Sequence, residues 1–180
     1  MATRTMSSIL IIYSSTDGHT RKICQRLCQV VAQLDHQTTL ISIDDESNVD
    51  LKSFDKIILG ASIRYGKHHK KVYDFIKRNE QLLDSKPNAF FSVNVVARKP
   101  GKNQPDTNPY LRKFLKQISW QPKVLAVFAG KIDYKKYSFL DRQIIRLIMR
   151  ITRGPTDPNT AVEFTDWEQV EAFGLLVSNM

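Results

Sequence analysis

The fold turns on the stretch ILIIYSSTDGHTRKI, Ile9 to Ile23. Its first half belongs to an apolar run from Ser8 to Tyr13, too short for a helix and bounded by turn residues, which reads as a strand buried on both faces. Ser14, Ser15, Thr16, Asp17, Gly18, His19 and Thr20 follow, all polar or glycine. From Thr20 to Leu34 the spacing becomes helical, with Ile23, Leu27, Val30, Val31 and Leu34 on one face. A buried strand, a polar turn and an amphipathic helix in succession open a strand–helix–strand crossover.

The same rhythm continues outward. Thr38 to Ile43 reads as a second strand, and Asp44 to Phe54 as a polar connection with one helical turn near Leu51. Lys56 to Gly60 is a third strand, followed by a helix from His69 to Leu83 with Val72, Phe75, Ile76 and Leu83 on one side. Asn88 to Asn94 is a fourth strand. A loop from Ala97 to Asn108, containing Pro100, Gly101 and Pro105, leads to a helix from Pro109 to Ile118, with proline suited to its first turn. Val124 to Ala129 is a fifth strand. After a long insert, Ala161 to Phe164 reads as a short continuation of the fifth strand, and Asp166 as the N-cap of a closing helix. Strands alternating with helices imply right-handed crossovers, a parallel sheet and a three-layer α/β sandwich. The expectation is one domain over residues 1–180, with 130–159 as an insert within it.

Composition narrows the partners. The 180 residues include 42% hydrophobic ones, enough for a core, and carry a net charge of +9 with a pI near 9.6. That surplus favours an anionic partner. Cys24 and Cys28 are four apart on a helix, neither a zinc nor a C-x-x-C pattern, and read as reduced thiols. The start MATRTMSS has no apolar signal core, and Met1 or Met6 could each begin the chain. No stretch has the roughly 18 apolar residues of a membrane span, so the expected location is cytoplasmic. No metal site and no nucleic-acid motif is evident.

In open α/β sheets ligands sit beyond the carboxyl ends of the strands. The turn from Ser14 to Thr20 lies at such an end and feeds a helix N-terminus, with its unpaired N–H groups and partial positive charge. Hydroxyls of Ser15, Thr16 and Thr20 add donors, and Gly18 allows close approach, so phosphate is the expected guest. G-x-x-x-x-G-K-[ST] and G-x-G-x-x-G are both absent, which argues against nucleoside triphosphates and dinucleotides. A hydroxyl-rich loop without lysine suits a phosphate monoester such as that of flavin mononucleotide (FMN). An ordinary capped helix start is the competing reading. GASIRYGKHHK (Gly60 to Lys70) and SVNVVARKP (Ser92 to Pro100) follow the third and fourth strands, where a ring attached to that phosphate would lie, with Tyr65 able to stack on it.

The loop SSTDGHT with these glycine-bearing strand ends resembles the flavodoxin superfamily. GASIRYGKHH, SVNVVARKP, NPYLRKFL and TDWEQV narrow the resemblance to the quinone-dependent, flavodoxin-like protoporphyrinogen oxidases of bacterial haem synthesis, from about Ile9 to Phe173. The resemblance implies a flavodoxin-like five-stranded parallel sheet in order 2-1-3-4-5. It implies FMN as cofactor, protoporphyrinogen IX as substrate and menaquinone or ubiquinone as acceptor, with six electrons removed in three two-electron rounds. Carried over by position, the phosphate loop is Ser15, Thr16, Asp17, Gly18, His19 and Thr20. The first ring loop is Ala61, Ser62, Ile63, Arg64, Tyr65 and Gly66, and the second is Asn94, Val95, Val96, Ala97 and Arg98. Asp17 departs from general flavodoxins, where a hydroxyl residue is usual. Its side chain is expected to turn away from the phosphate and cap the helix, with a protonated His19 able to offset its charge. The alternative within this fold is a flavodoxin-type electron carrier or NAD(P)H:quinone reductase.

The insert carries much of the charge. From Lys131 to Arg153 there are seven cations against Asp133 and Asp141. On a wheel of about 100° per residue, Ile144, Leu147, Ile148 and Ile151 cluster within about 80° of Leu140, and Arg142, Arg146 and Arg153 lie opposite, with Arg150 at the border of the apolar stripe. Tyr134, Tyr137 and Phe139 precede this helix and suit an interface. Three readings stay open: a helix lying on an anionic membrane surface, a cover over the flavin, or a helix packing its apolar face on the sheet with its arginines in solvent. Lys67, Lys70, Lys71, Arg98, Lys99 and Lys102 are expected at the cleft mouth, where they would seat the substrate's propionates. Arg98 is the best of these. His68 and His69 are the candidates for proton transfer by location, with His69 and Arg98 the two catalytic candidates.

Overall fold

A computed structural model describes residues 6–180, so the choice of Met1 as start lies outside the described residues. Five parallel strands make the central sheet: β1 (Ser8–Ser14), β2 (Gln37–Ser42), β3 (Lys56–Arg64), β5 (Asn88–Asn94) and β6 (Val124–Ala129). Their order is β2-β1-β3-β5-β6, which is 2-1-3-4-5 counted along the parallel strands. The crossover helices are α1 (His19–Ala32), α2 (Lys70–Ser85) and α3 (Pro109–Leu115), and α5 (Trp167–Ser178) closes the chain.

The strands alternate sides, and both sides are dry. Leu10, Ile12, Ile57, Leu59, Phe90 and Val127 pack with Val72 and Phe75 of α2 and Phe114 of α3. Ile9, Ile11, Ile58, Ala89, Phe91 and Phe128 pack with Ile23 and Leu27 of α1 and Phe173 of α5. This is why the strands read as continuous apolar runs rather than alternating ones. Gly60 is required where it stands, because a Cβ there would lie 2.1 Å from the Phe91 ring.

Three elements differ from the sequence expectation. The third strand does not stop at Gly60: it runs on to Arg64 and turns through Tyr65 (φ 50°) and Gly66 (φ 78°) into β4 (Lys67–His68), which pairs back on it. Two consecutive positive φ values are those of a type I′ hairpin, and they hold Tyr65 in a conformation unusual for an aromatic residue. Residues 161–163 do not continue the fifth strand. As β8 (Ala161–Glu163) they pair antiparallel with β7 (Lys131–Asp133), a separate ribbon beyond the sheet's carboxyl edge. Helix α3 also ends three residues early, at Leu115.

Between the ribbon strands stands α4 (Phe139–Ile151), capped by Ser138, whose Oγ accepts from the Asp141 N–H at 3.2 Å. Ile132, Tyr134, Tyr137 and Met149 form its own small core, with Ile145 packed against it. The Tyr134 hydroxyl donates to the Pro155 carbonyl at 2.5 Å. The orientation reverses the third reading of the insert. Phe139, Leu140, Ile144, Leu147, Ile148 and Ile151 face outward, with Leu140 and Ile151 each 73% exposed. Arg142 and Arg146 turn inward instead, and their Nε atoms donate to the carbonyls of Tyr134 (3.2 Å) and Thr156 (2.9 Å). Those carbonyls need donors, which an apolar face cannot supply.

Candidate functional site

The carboxyl ends of β1, β3 and β5 open into one cleft, walled on its far side by the insert and measuring about 1060 Å³ out to its open mouth. Ser15, Thr16, Asp17, His19 and Thr20 line it from the first turn; Ser62, Ile63, Arg64, Tyr65 and Gly66 from the second; Asn94, Val95 and Val96 from the third. Gly18, Ala61, Ala97 and Arg98 do not line it.

Gly18 (φ 84°) is the residue preceding α1, and its N–H donates to Ser15 Oγ at 3.0 Å. No side chain caps this helix, so its first-turn amides keep their donors. Thr20 Oγ1 is buried and without a hydrogen-bond partner. A buried hydroxyl lacking a partner is uncommon and costs about 1–3 kcal/mol. Free amides, an orphaned hydroxyl and a left-handed glycine at the carboxyl edge together fit a phosphate oxyanion. The residues present therefore fit the terminal group of a flavin mononucleotide.

Asp17 does not cap α1. Its carboxylate accepts from Arg64 Nη1 at 2.8 Å, while Arg64 Nη2 reaches Asp141 of α4 at 3.1 Å. The Arg64 guanidinium also lies 5.0 Å from the Tyr137 ring centre and 5.6 Å from that of Tyr65. One arginine thus joins the first turn, the second turn and the insert. Offsetting Asp17 falls to Arg64 and not to His19. Thr165 Oγ1 donates to the Ala129 carbonyl at 2.8 Å, so it accepts from His19 Nε2 at 2.6 Å, which places the imidazole proton on Nε2. Burial first, then Lys22, Lys131 and Lys136, push the His19 pKa down against the opposing pull of Glu163.

The two neighbouring histidines differ. His69 is exposed, and its Nδ1 accepts from the Lys71 N–H as the N-cap of α2; it does not reach the cleft. His68 is buried rather than on the surface. Its Nδ1 lies 3.1 Å from the Ser62 carbonyl and its Nε2 3.4 Å from Ser92 Oγ, with Phe114 and Phe90 edge-on. A carbonyl can only accept, so Nδ1 carries the proton. Burial lowers the His68 pKa to about 4, and the ring is neutral at pH 7. It pins the carbonyl from which the first ring loop departs.

The second ring loop is held through Asn94. Its Oδ1 accepts from the Ala97 N–H (3.1 Å) and from Asn108 Nδ2 (3.1 Å), and its Nδ2 donates to Ser92 Oγ (3.3 Å). Asn108 in turn caps α3. Arg98 turns away from the cleft. Its Nη1 donates to the Val95 carbonyl (3.0 Å) and its Nη2 to Thr152 O and Oγ1 (both 3.2 Å), at the C-terminus of α4, where a cation is favoured.

The expected cationic mouth is also placed elsewhere. Lys70 pairs with Asp74 and Lys71 with Asp44, and neither they nor Lys67, Lys99 and Lys102 line the cleft. The lining cations are Arg64, Lys131 and Lys136, joined by Tyr110 and Tyr137 and, from α4, by Ile148 and Met149. The sequence reading of the insert as a cover over the flavin named none of these insert residues as lining the cleft. The available signal was the tyrosine pair before an amphipathic helix.

A 2-1-3-4-5 parallel sheet with an amide-and-hydroxyl turn after its first strand defines a flavodoxin-type α/β domain. Residues 10–159 match the flavodoxin domain family. Solved structures agree on the fold: the two-electron reduced flavodoxin of Megasphaera elsdenii (TM-score 0.57, 14% identity, 96% of this chain and 99% of that one) and oxidised flavodoxin 1 of Bacillus cereus (TM-score 0.53, 17%, 96% and 98%). Among curated proteins, protoporphyrinogen IX dehydrogenase [quinone] of Escherichia coli K12 is 40% identical over 95% of this chain and 94% of its own length. That of Leishmania major is 41% identical over 91% and 71%. The chain belongs to the quinone-dependent protoporphyrinogen IX dehydrogenase family of flavodoxin-domain proteins.

Proposed function

We propose that this protein is an FMN-dependent oxidoreductase that converts protoporphyrinogen IX to protoporphyrin IX in haem biosynthesis and passes the electrons to a quinone. The observation that carries this reading is the cleft itself: the turn ends that match the family along nearly the whole chain converge on one opening, around an oxyanion site left unfilled by the protein's own groups.

When bound, FMN supplies the electron-accepting chemistry. The chain's own residues do the rest. Thr20 Oγ1 and the first-turn amides of α1 would hold the phosphate. His68 fixes the Ser62 carbonyl and Asn94 fixes the backbone at Ala97, so the two ring loops are rigid before a ring arrives. Tyr65, 53% exposed on its hairpin, offers a face at the mouth. Ile148 and Met149 of α4 make the outer wall apolar.

The same reading makes residues 1–180 a single flavodoxin-like domain and 130–159 its basic amphipathic insert, lying on the cytoplasmic face of the inner membrane. The outward stripe of α4 suits burial at a lipid interface, and the exposed Arg150 and Arg153 suit anionic headgroups. Ile148 belongs both to that stripe and to the cleft wall, so the mouth would open beside the bilayer that dissolves the quinone. No helix among the described residues is long and apolar enough to cross a membrane.

Purified protein loaded with FMN, given protoporphyrinogen IX and menaquinone or ubiquinone, is expected to produce porphyrin fluorescence, with none when quinone is withheld under anaerobic conditions. FMN-loaded protein that leaves porphyrinogen unchanged in the presence of either quinone would reject the proposal.

A further inference from the structure

The phosphate turn brings no available cation of its own. A phosphate monoester carries about −1.5 to −2 charges at pH 7, against roughly half a positive charge from a helix N-terminus. The nearby side-chain charges are engaged elsewhere or lie outside the cleft; Arg21 of α1 is exposed and does not line it. Arg64 is shared between Asp17 and Asp141. Lys22, in the first turn of α1, points to Glu163 at 3.2 Å and lies over the Trp167 ring at 5.0 Å.

The β7–β8 ribbon is clamped onto this turn. His19 is bonded to Thr165, Thr165 to the Ala129 carbonyl, and Lys22 to Glu163 of β8. The clamp brings Lys131 and Lys136 into the cleft wall beside the first residues of α1. Lys131 is held by Asp133 at 3.4 Å. Lys136 is exposed, lines the cleft, and has no carboxylate within ion-pair distance among the described residues. Both lysines depress the pKa of His19, so their charge reaches the start of α1.

We propose that Lys136, delivered by the insert, is the cation that meets the phosphate of the flavin, so that the insert completes the cofactor site as well as covering it. This rests on the FMN reading above. It implies that the insert is needed to discriminate FMN from riboflavin, a task the turn alone does too weakly.

The test compares dissociation constants of FMN and riboflavin, from quenching of flavin fluorescence, for the wild type, Lys136→Met, Lys136→Arg and Lys135→Met. Lys135 is an exposed neighbour of equal charge outside the cleft wall. Removing one charge-assisted contact is expected to weaken FMN binding about tenfold. Riboflavin affinity should stay unchanged in Lys136→Met, and the salt dependence of FMN binding should fall. Lys136→Arg should restore both, and Lys135→Met should resemble the wild type. The inference is overturned if Lys136→Met binds FMN as the wild type does, if it weakens FMN and riboflavin equally, or if Lys135→Met weakens FMN as much. It is equally overturned if only the KM for porphyrinogen rises, which would assign Lys136 to the substrate's carboxylates. A wild type that binds no FMN would instead remove the flavin reading beneath it.

Discussion

Helices α1 and α4 carry the same kind of pattern and turn it in opposite directions. In α1 the apolar residues Ile23, Leu27 and Val31 are fully buried against the sheet. In α4 the equivalent stripe of Leu140, Ile144, Leu147 and Ile151 faces out, while Arg142 and Arg146 turn in to backbone carbonyls. Periodicity establishes that a helix has two faces. What lies beneath decides which one goes down. Beneath α1 is an apolar sheet; beneath α4 are a loop and a ribbon with carbonyls to satisfy, and only Ile145 and Met149 supply apolar contact.

The contrast can be broken by substituting apolar residues in each helix in turn. Leu27→Ala is expected to cost about 2–5 kcal/mol of stability by urea unfolding, since it leaves a cavity in a closed core. The double change Leu140→Ser and Leu147→Ser should alter stability by no more than about 0.5 kcal/mol, yet strongly reduce flotation with phosphatidylglycerol vesicles. Equal destabilisation by both would mean that the α4 stripe is core after all.

A second contrast sets His68 against His69. The folded-state pKa of His68, about 4, lies below its ordinary value of 6.5. The unfolded chain therefore takes up a proton that the folded one refuses, and stability falls as pH drops from 6.5 towards 4, by about 3 kcal/mol at the limit. Urea midpoints across that range should show the loss in the wild type. The loss from this group should vanish in His68→Leu and persist in His69→Asn.

The smallest effect concerns the fastening of α4. Arg98→Ala removes the bonds to Thr152 and should cost about 1 kcal/mol. Amide exchange should quicken around Thr152 while FMN affinity holds. A loss of FMN affinity comparable to that of Lys136→Met would return Arg98 to the cofactor site.

The strands and the parallel sheet were legible because buried strands and amphipathic crossovers leave local marks, while the strand order came from the family resemblance: Ile9 to Ile12, Ile57 to Leu59 and Ala89 to Val93 each read as dry strands from their own composition. The turn residues were legible for the same reason, since a strand end followed by a helix start determines where Ser15, Thr16 and Thr20 must lie. Less visible were the burial of His68 and the direction of Arg98, each decided by a partner distant in sequence: Ser92 24 residues from His68, and Thr152 54 residues from Arg98.

The amino-acid sequence by itself determined the layers, the crossovers and the phosphate turn, because those depend on patterns a few residues long. Only the tertiary structure decided that the insert turns its apolar stripe outward, lends Lys131 and Lys136 to the cleft and engages Arg64 between two carboxylates. The physical reason is that satisfying carbonyls and pairing charges depends on which groups meet in space, and the groups that meet here come from opposite ends of the chain.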